Sequence, residues 1–250
     1  MADIYNCTIV KKDTFGGCTE LVIENAALSR AAKQGQFLHI KCAGQTLRRP
    51  ISICDVSGGT LTIVFETRGV GTAWLAACRP GDVLDVLGPL GNGFPAVQGK
   101  ILVAGGGIGV PPMLLTAKRA ESADAVLGFR NQSREMLTEQ FSAICGTTVV
   151  MSDDGSCGKK GYVADGVAEL LKNGGYTAVM ACGPKLMLRT VAAAAKAAGV
   201  PCYVSMEERM GCGIGACLVC ACKTQKNGQI GYSHVCKDGP VFPAEEVCWE

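Results

Sequence analysis

Residues 210–223 read MGCGIGACLVCACK, setting the thiols Cys212, Cys217, Cys220 and Cys222 among Gly211, Gly213 and Gly215. The spacing Cys212-x4-Cys217-x2-Cys220 is that of plant-type [2Fe–2S] loops, which draw one more ligand from further along the chain. Cys236, after GQIGYSHV, is the natural fourth. Four thiolates must surround a compact two-iron cluster, so three come from one sharply bent loop. The glycines let that loop bend and aim backbone amides at the sulfides. Cys222 and Cys248 fall outside this pattern. Zinc is the rival ligand. Cys217, Cys220, His234 and Cys236 would make a tetrahedral site, but that set leaves Cys212 and the glycine density unexplained.

Three other stretches carry groups suited to nucleotides. In RRPISI (48–53), Arg49 offers a planar guanidinium fork and Ser52 a hydroxyl, with Pro50 fixing the turn between them near the end of a presumed strand. Downstream, VFETRGVGT places Gly71 and Thr72 just before a short helix, where exposed amides favour an anion. Together these would grip a pyrophosphate from two sides. In AGGGIGVPPM (104–113), Gly105, Gly106, Gly107 and Gly109 allow a tight turn between strand and helix. The spacing is not the full dinucleotide fingerprint, and the acidic residue usual about 20 positions on has no convincing match. A purely structural turn is the competing reading. In ACGP (181–184), Cys182 and Gly183 end a later strand, with a helix beginning near Pro184. In an open parallel sheet such strand ends line the ligand crevice.

The elements that must hold these groups change character along the chain. Up to about residue 97, IYNCTIV, CTELVIE, GQFLHIKC, TLTIVFE and DVLDVLG are short β-rich runs between glycine and proline turns, with one helix at TAWLAAC. That spacing predicts a barrel or sandwich. Beyond AVQGK, strands at ILVAG, DAVLGF, TTVVM, TAVMAC and PCYVSM alternate with helices at PPMLLTAKRAES, REMLTEQFSAI, YVADGVAELLK and PKLMLRTVAAAAKAAG. The alternation predicts a doubly wound parallel sheet. PCYVSM would be its last strand, leaving some 45 residues with the cysteine loop and little regular structure.

The 250 residues suit two domains and an appendage. A net charge of +2 with 18% charged residues carries no nucleic-acid footprint. No apolar run approaches the roughly 20 residues of a membrane span, and MADIYNCTIVKKD does not read as a secretory signal. The expectation is a soluble cytoplasmic protein. Fifteen cysteines, an odd number, argue against a disulfide framework. Cys7, Cys42, Cys54, Cys78, Cys182 and Cys202 read as small buried hydrophobes. His39 and His234 read as packing or surface groups rather than catalysts.

Taken in order, RRPISI, GVGT, GGGIGVPPM, DDGSCGKKGYV, ACGP and SMEERMGCGIGACLVCACK with Cys236 resemble the ferredoxin-reductase superfamily over nearly the whole chain. Within it they look most like the electron-transfer subunit of NAD-dependent (type B) dihydroorotate dehydrogenase. The resemblance implies an FAD-binding β-barrel over 1–97, an NAD-binding α/β domain over 98–205 and a [2Fe–2S] domain over 206–250. It implies FAD contacts from Arg49, Pro50, Ile51, Ser52, Val64, Phe65, Glu66, Gly71 and Thr72. Relatives carry a basic residue near Glu66; here Arg68 stands two places on. The pyridine nucleotide would meet Gly106, Gly107, Gly109, Cys182, Gly183 and Pro184, and Cys212, Cys217, Cys220 and Cys236 match the cluster ligands one for one.

Such a subunit takes hydride from NADH onto FAD and passes single electrons through the cluster to the FMN of a separate catalytic subunit that interconverts dihydroorotate and orotate, in a heterotetramer of two of each. No side chain need act as acid or base, although Cys182 would lie near the flavin. Neither nucleic acid nor membrane is an implied partner. Two other readings share parts of this pattern: the flavin subunit of a ferredoxin:NADP reductase or sulfide dehydrogenase complex, and a zinc-stabilised binding module without redox chemistry. Arg130 and Arg134 follow a strand where they would favour a 2′-phosphate, so NADH rather than NADPH rests on the resemblance.

Overall fold

A computed structural model describes residues 3–226 and 228–249. The first third closes into a six-stranded antiparallel barrel. Its strands are β1 (Asp3–Phe15), β2 (Cys18–Glu24), β3 (Phe37–Ile40), β4 (Arg49–Ser57), β5 (Thr60–Glu66) and β6 (Val83–Leu90), in the order β1-β2-β5-β4-β3-β6 with β1 pairing back to β6. Alternation drives it: in β6 every second residue is buried, and Leu21, Ile23, Ile53, Ile63, Leu84 and Val86 fill the interior. Two short helices pack against this core, α1 (Ala26–Ala31) through Leu28 and α2 (Val70–Ala77) through Leu75. Each fully buried side chain of this kind contributes roughly 1.5–3 kcal/mol.

The second body is a seven-stranded sheet. Its elements are β7 (Lys100–Gly106), α3 (Pro111–Lys118), β8 (Ser122–Phe129), α4 (Thr138–Ile144), β9 (Thr148–Ser152), β10 (Lys159–Lys160), α5 (Val163–Leu171), β11 (Tyr176–Cys182), α6 (Lys185–Ala197) and β12 (Cys202–Ser205). The strand order is β10-β9-β8-β7-β11-β12, all parallel, with one further strand at the β12 edge. Helix α3 is buried along Pro111–Ala117 because it is sandwiched, packing on β7 on one side and β4 of the barrel on the other. That explains why PPMLLTAK is apolar all round rather than amphipathic. Lys118 Nζ to Asp55 Oδ2 at 2.5 Å adds a charged tie between the two bodies.

Besides adding the short helix α1, the structure departs from the sequence reading at three places. RPISICDVS is a strand that begins, rather than ends, at Arg49. Gly71 and Thr72 lie in the first turn of α2, not before it. The last segment is more regular than expected. It forms a hairpin, β13 (Ala221–Lys226) with β14 (Gln229–His234), and then β15 (Val241–Pro243), which pairs antiparallel with β12. PCYVSM is therefore not the final strand of the sheet. The hairpin escapes pattern reading because its inward residues are Cys222, Thr224 and Ser233, small or polar, with Thr224 Oγ1 and Ser233 Oγ 2.9 Å apart. Among the described residues no helix is long and apolar enough to cross a membrane.

Candidate functional site

The cysteine loop leaves the sheet after Ser205 and is anchored again where β15 returns beside it. The barrel holds it from the other side: Asn92 Nδ2 donates to Lys237 O at 3.0 Å and Asp238 O at 3.1 Å, and Asn92 N to Gly239 O. Within this frame the four predicted ligands come together as two pairs. Cys212 N donates to Cys217 Sγ at 3.3 Å and Cys217 N to Cys212 Sγ at 3.4 Å. Cys220 Sγ and Cys236 Sγ lie 3.2 Å apart, with Cys236 N 3.4 Å from Cys220 Sγ.

Further amides converge on the same sulfurs. Ile214 N reaches Cys212 Sγ at 3.5 Å, Ala216 N the same atom at 3.2 Å, and Gly215 N reaches Cys236 Sγ at 3.1 Å. Gly213 and Gly215 take φ +75° and +82°, the left-handed conformations this bend requires. Burial opposes ionisation of Cys212, but the amides of Ile214, Cys217 and Ala216 and the Cys217 thiol outweigh it and bring its pKa down to about 6. Amide donors aimed at thiolate sulfur are what an iron–sulfur cage needs, and two thiol pairs suit two irons. The zinc set fits less well. It leaves out Cys212, whose sulfur receives the amides of Ile214, Ala216 and Cys217, and His234 Nδ1 lies 3.5 Å from Asp238 Oδ2. Cys222 turns into the hairpin core, and Cys248 N is tied to Lys223 O.

Beside this loop opens a cavity of about 700 Å³. The barrel lines it with Arg49 and Pro50, the end of β11 with Gly183 and Pro184, and the approach to the cysteine loop with Met206 and Met210. Two of the candidate flavin residues, Arg49 and Pro50, and two of the candidate nicotinamide residues, Gly183 and Pro184, thus share one crevice with the path to the cluster loop. Arg49 lies on Gly71, where an added Cβ would sit 2.4 Å from its Nε. Its Nη2 donates to Gln45 Oε1 at 3.2 Å. Thr72 Oγ1 accepts from Arg68 N at 2.9 Å and Gly69 N at 3.1 Å, capping α2. A guanidinium stacked against a helix start is the two-sided arrangement a pyrophosphate needs.

Ile51 is buried in the barrel and Ser52 is half-buried beside it on β4. Val64 and Phe65 are buried in two different cores, so their side chains are not free to contact a ligand. Glu66 is engaged by Arg68 Nε at 2.9 Å and Arg134 Nη1 at 3.8 Å. Arg134 also donates to Gly16 O at 3.3 Å, which turns it toward the barrel.

The two glycine turns meet at the centre of the sheet. A Cβ on Gly109 would lie 2.3 Å from Cys182 O, and one on Gly106 2.3 Å from Met187 Sδ. Gly107 begins the single turn of 3-10 helix, Gly107–Gly109, that leads into α3. Cys182 is only half-buried as a residue, yet its thiol is desolvated enough to raise its pKa to about 12. It is a neutral thiol near pH 7, not a nucleophile. Cys7, Cys42, Cys54 and Cys78 are buried, whereas Cys202, like Cys182, is only half-buried.

The sequence assigns His39 to packing or surface rather than catalysis. It is fully buried, and burial first, then the charge of Arg48, pull its pKa down to about 4.

A closed antiparallel barrel, a parallel sheet and a four-cysteine loop at their junction define a ferredoxin-reductase-like flavoprotein fold with an iron–sulfur appendage. Residues 207–248 match the family described as the iron-sulfur cluster binding domain of dihydroorotate dehydrogenase B. The chain is 44% identical over 217 residues, 85% of this chain and 86% of the other, to the dihydroorotate dehydrogenase B (NAD(+)) electron transfer subunit of Caldanaerobacter subterraneus. It is 43% identical over 242 residues, 91% of each chain, to that of Geobacillus kaustophilus. The chain belongs to the family of dihydroorotate dehydrogenase B electron transfer subunits.

Among solved structures, a chain of an NADH-dependent reduced ferredoxin-NADP oxidoreductase superposes with TM-score 0.86 at 31% identity, covering 97% of this chain and 90% of that one. A ferredoxin NADP+ reductase from Neisseria gonorrhoeae with bound FAD and NADP shares the fold at TM-score 0.63 and 18% identity, covering 84% and 96%.

Proposed function

We propose that this chain oxidises NADH through a bound FAD and passes single electrons by way of a [2Fe–2S] cluster to the FMN of a dihydroorotate dehydrogenase catalytic subunit, in a complex of two copies of each. The observation that carries the reading is the junction itself. One crevice is bounded by Arg49 and Pro50, by Gly183 and Pro184, and by the segment leading into the four cysteines. When bound, the flavin accepts two electrons as hydride and releases them singly, and the cluster carries one at a time.

The chain's own residues bind and orient. Arg49 and the first turn of α2 hold the pyrophosphate of FAD, and the β4 and β5 backbones around Ile51, Ser52, Val64, Phe65 and Glu66 lie along it. Gly106, Gly107 and Gly109, with Cys182, Gly183 and Pro184, form a floor low enough for a flat nicotinamide ring. Cys212, Cys217, Cys220 and Cys236 hold the cluster. No side chain in the crevice needs to move a proton.

The test is to purify the chain with its catalytic partner and follow NADH-dependent bleaching at flavin and cluster wavelengths. Bleaching at both, with orotate reduced, is expected; a colourless protein containing zinc would overturn the reading. An Arg49→Ala chain should bind FAD roughly 10- to 100-fold more weakly, since a hydrogen bond to a charged group is worth about 1.5–3 kcal/mol. Flavin fluorescence titration measures this, and an unchanged Kd removes Arg49 from the site.

The partner's docking face is the rim of the cysteine loop. Ile214, Leu218 and Val219 are 55%, 60% and 55% exposed there, and Ile230 and Tyr232 of the hairpin are exposed as well. A patch of large apolar residues beside a redox centre marks an interaction surface. Leu218→Asp should weaken association with the catalytic subunit at least about tenfold while iron content stays the same. Equal affinity by titration calorimetry would place the interface elsewhere.

A further inference from the structure

His39 lies in the middle of β3, opposite Pro50 of β4 in the barrel register. Its ring is fully buried, and neither Nδ1 nor Nε2 has a hydrogen-bond partner. The neighbour covering it comes from the far end of the chain. A Cβ added to Gly213 would lie 2.6 Å from His39 Nδ1 and 3.2 Å from Cε1, so the ring rests directly on the residue after Cys212. The backbones of Arg48 and Cys212 lie beside the ring as well.

A buried imidazole without a partner is costly unless something satisfies it, and a hydrocarbon side chain would have filled the same space. Pro50 is a candidate flavin residue and Gly213 belongs to the candidate cluster loop. His39 is thus wedged between the two.

We propose that His39 is a positioning residue for the cluster loop: its ring N–H donates to the loop at Cys212–Gly213 and keeps the loop's amides aimed at the cluster sulfurs. With the cluster in place this bond would tie the loop that holds it to β3, the strand paired with the candidate flavin residue Pro50. Hydrogen bonds to the sulfurs stabilise the reduced, more negative cluster and so raise its reduction potential. The inference rests on the proposed cluster, and iron and acid-labile sulfide in the unaltered protein test that reading separately.

The experiment compares His39→Leu, which keeps the volume without a donor, with His39→Gln, which keeps an N–H. Both are made in the full chain bound to its partner. Midpoint potentials are read by EPR-monitored redox titration, and cluster loss is timed against an iron chelator. In His39→Leu the reduction equilibrium should shift at least tenfold toward the oxidised cluster, about 59 mV for one electron. Chelation should be faster, and His39→Gln should recover most of both effects.

A His39→Leu cluster with unaltered potential and chelation rate overturns the proposal. So does a His39→Gln chain no better than His39→Leu, because the ring's shape and not its N–H would then matter. Should His39→Leu hold no cluster at all, retention by His39→Gln supports the proposal and its loss there refutes it.

Discussion

With Cys236 replaced by serine, the protein is expected to keep its flavin and lose its iron. Cys236 is the ligand that comes from outside the loop, buried and 3.2 Å from Cys220 Sγ, and it receives the amide of Gly215 at 3.1 Å. A serine oxygen is a harder, shorter ligand than the thiolate that iron–sulfur clusters select. The site has little slack to bring it closer, because β14 ends two residues before Cys236 and Asn92 and β15 hold the turn and strand that follow it. Iron and acid-labile sulfide should fall at least about tenfold, at the low end of what ligand-shell changes cost metal sites. NADH-dependent reduction of the flavin should persist, since Arg49, Gly71 and the glycine turns are untouched, while electron delivery to the partner falls to background. Full iron content in Cys236→Ser would remove this residue from the ligand set and with it the pairing on which the two-iron reading stands.

The second large effect belongs to Gly109→Ala. The new methyl would lie 2.3 Å from Cys182 O and 2.6 Å from Gly183 N, both backbone atoms of the β11 end. No flexible side chain can yield there, so either the 3-10 turn or the strand end must shift. Overpacking of this kind costs about 1–3 kcal/mol, which for a chain of this size lowers Tm by roughly 2–4 °C per kcal/mol. The functional cost should exceed the structural one. Gly109 packs directly on Gly183, which lines the crevice, so a shift there would move the floor proposed for nicotinamide, and NADH oxidation with ferricyanide as acceptor should slow about 100-fold, as displacement of a reacting pair by an ångström does. A melt and a steady-state assay on the same preparation separate the two, and an unchanged rate would mean that nicotinamide does not lie on this floor.

Much of this arrangement was legible in residues alone, for identifiable reasons. CTELVIE and TLTIVFE were read as strands over the bounds that β2 and β5 occupy, because their alternation is clean and turns flank them. The juxtaposition of Gly109 with Cys182 follows from the rule that parallel strands present their carboxyl ends on one side. The convergence of the four cysteines follows from their spacing, whereas their division into two pairs comes only from the fold. What escaped reading did so where pattern fails. β4 carries Pro50 inside it, which argues against a strand. α1 is six residues, too short for a helical period to register. The β13–β14 hairpin hides its inward face behind small polar residues. His39 is the instructive miss, because its significance lies in a contact with Gly213 that no local window contains. A lone histidine between apolar strand neighbours was the only available signal.

The return of β15 to the sheet has a consequence for anyone hoping to treat the redox appendage as portable. A chain stopped at Ser205 would bare the rim of β12, whose unpaired amides and carbonyls invite self-association. Grafted onto another carrier, the appendage would lack the docking strand that seats it. Its evolution is therefore tied to that of the sheet, and changes at Tyr203–Ser205 would be felt by iron that they never touch.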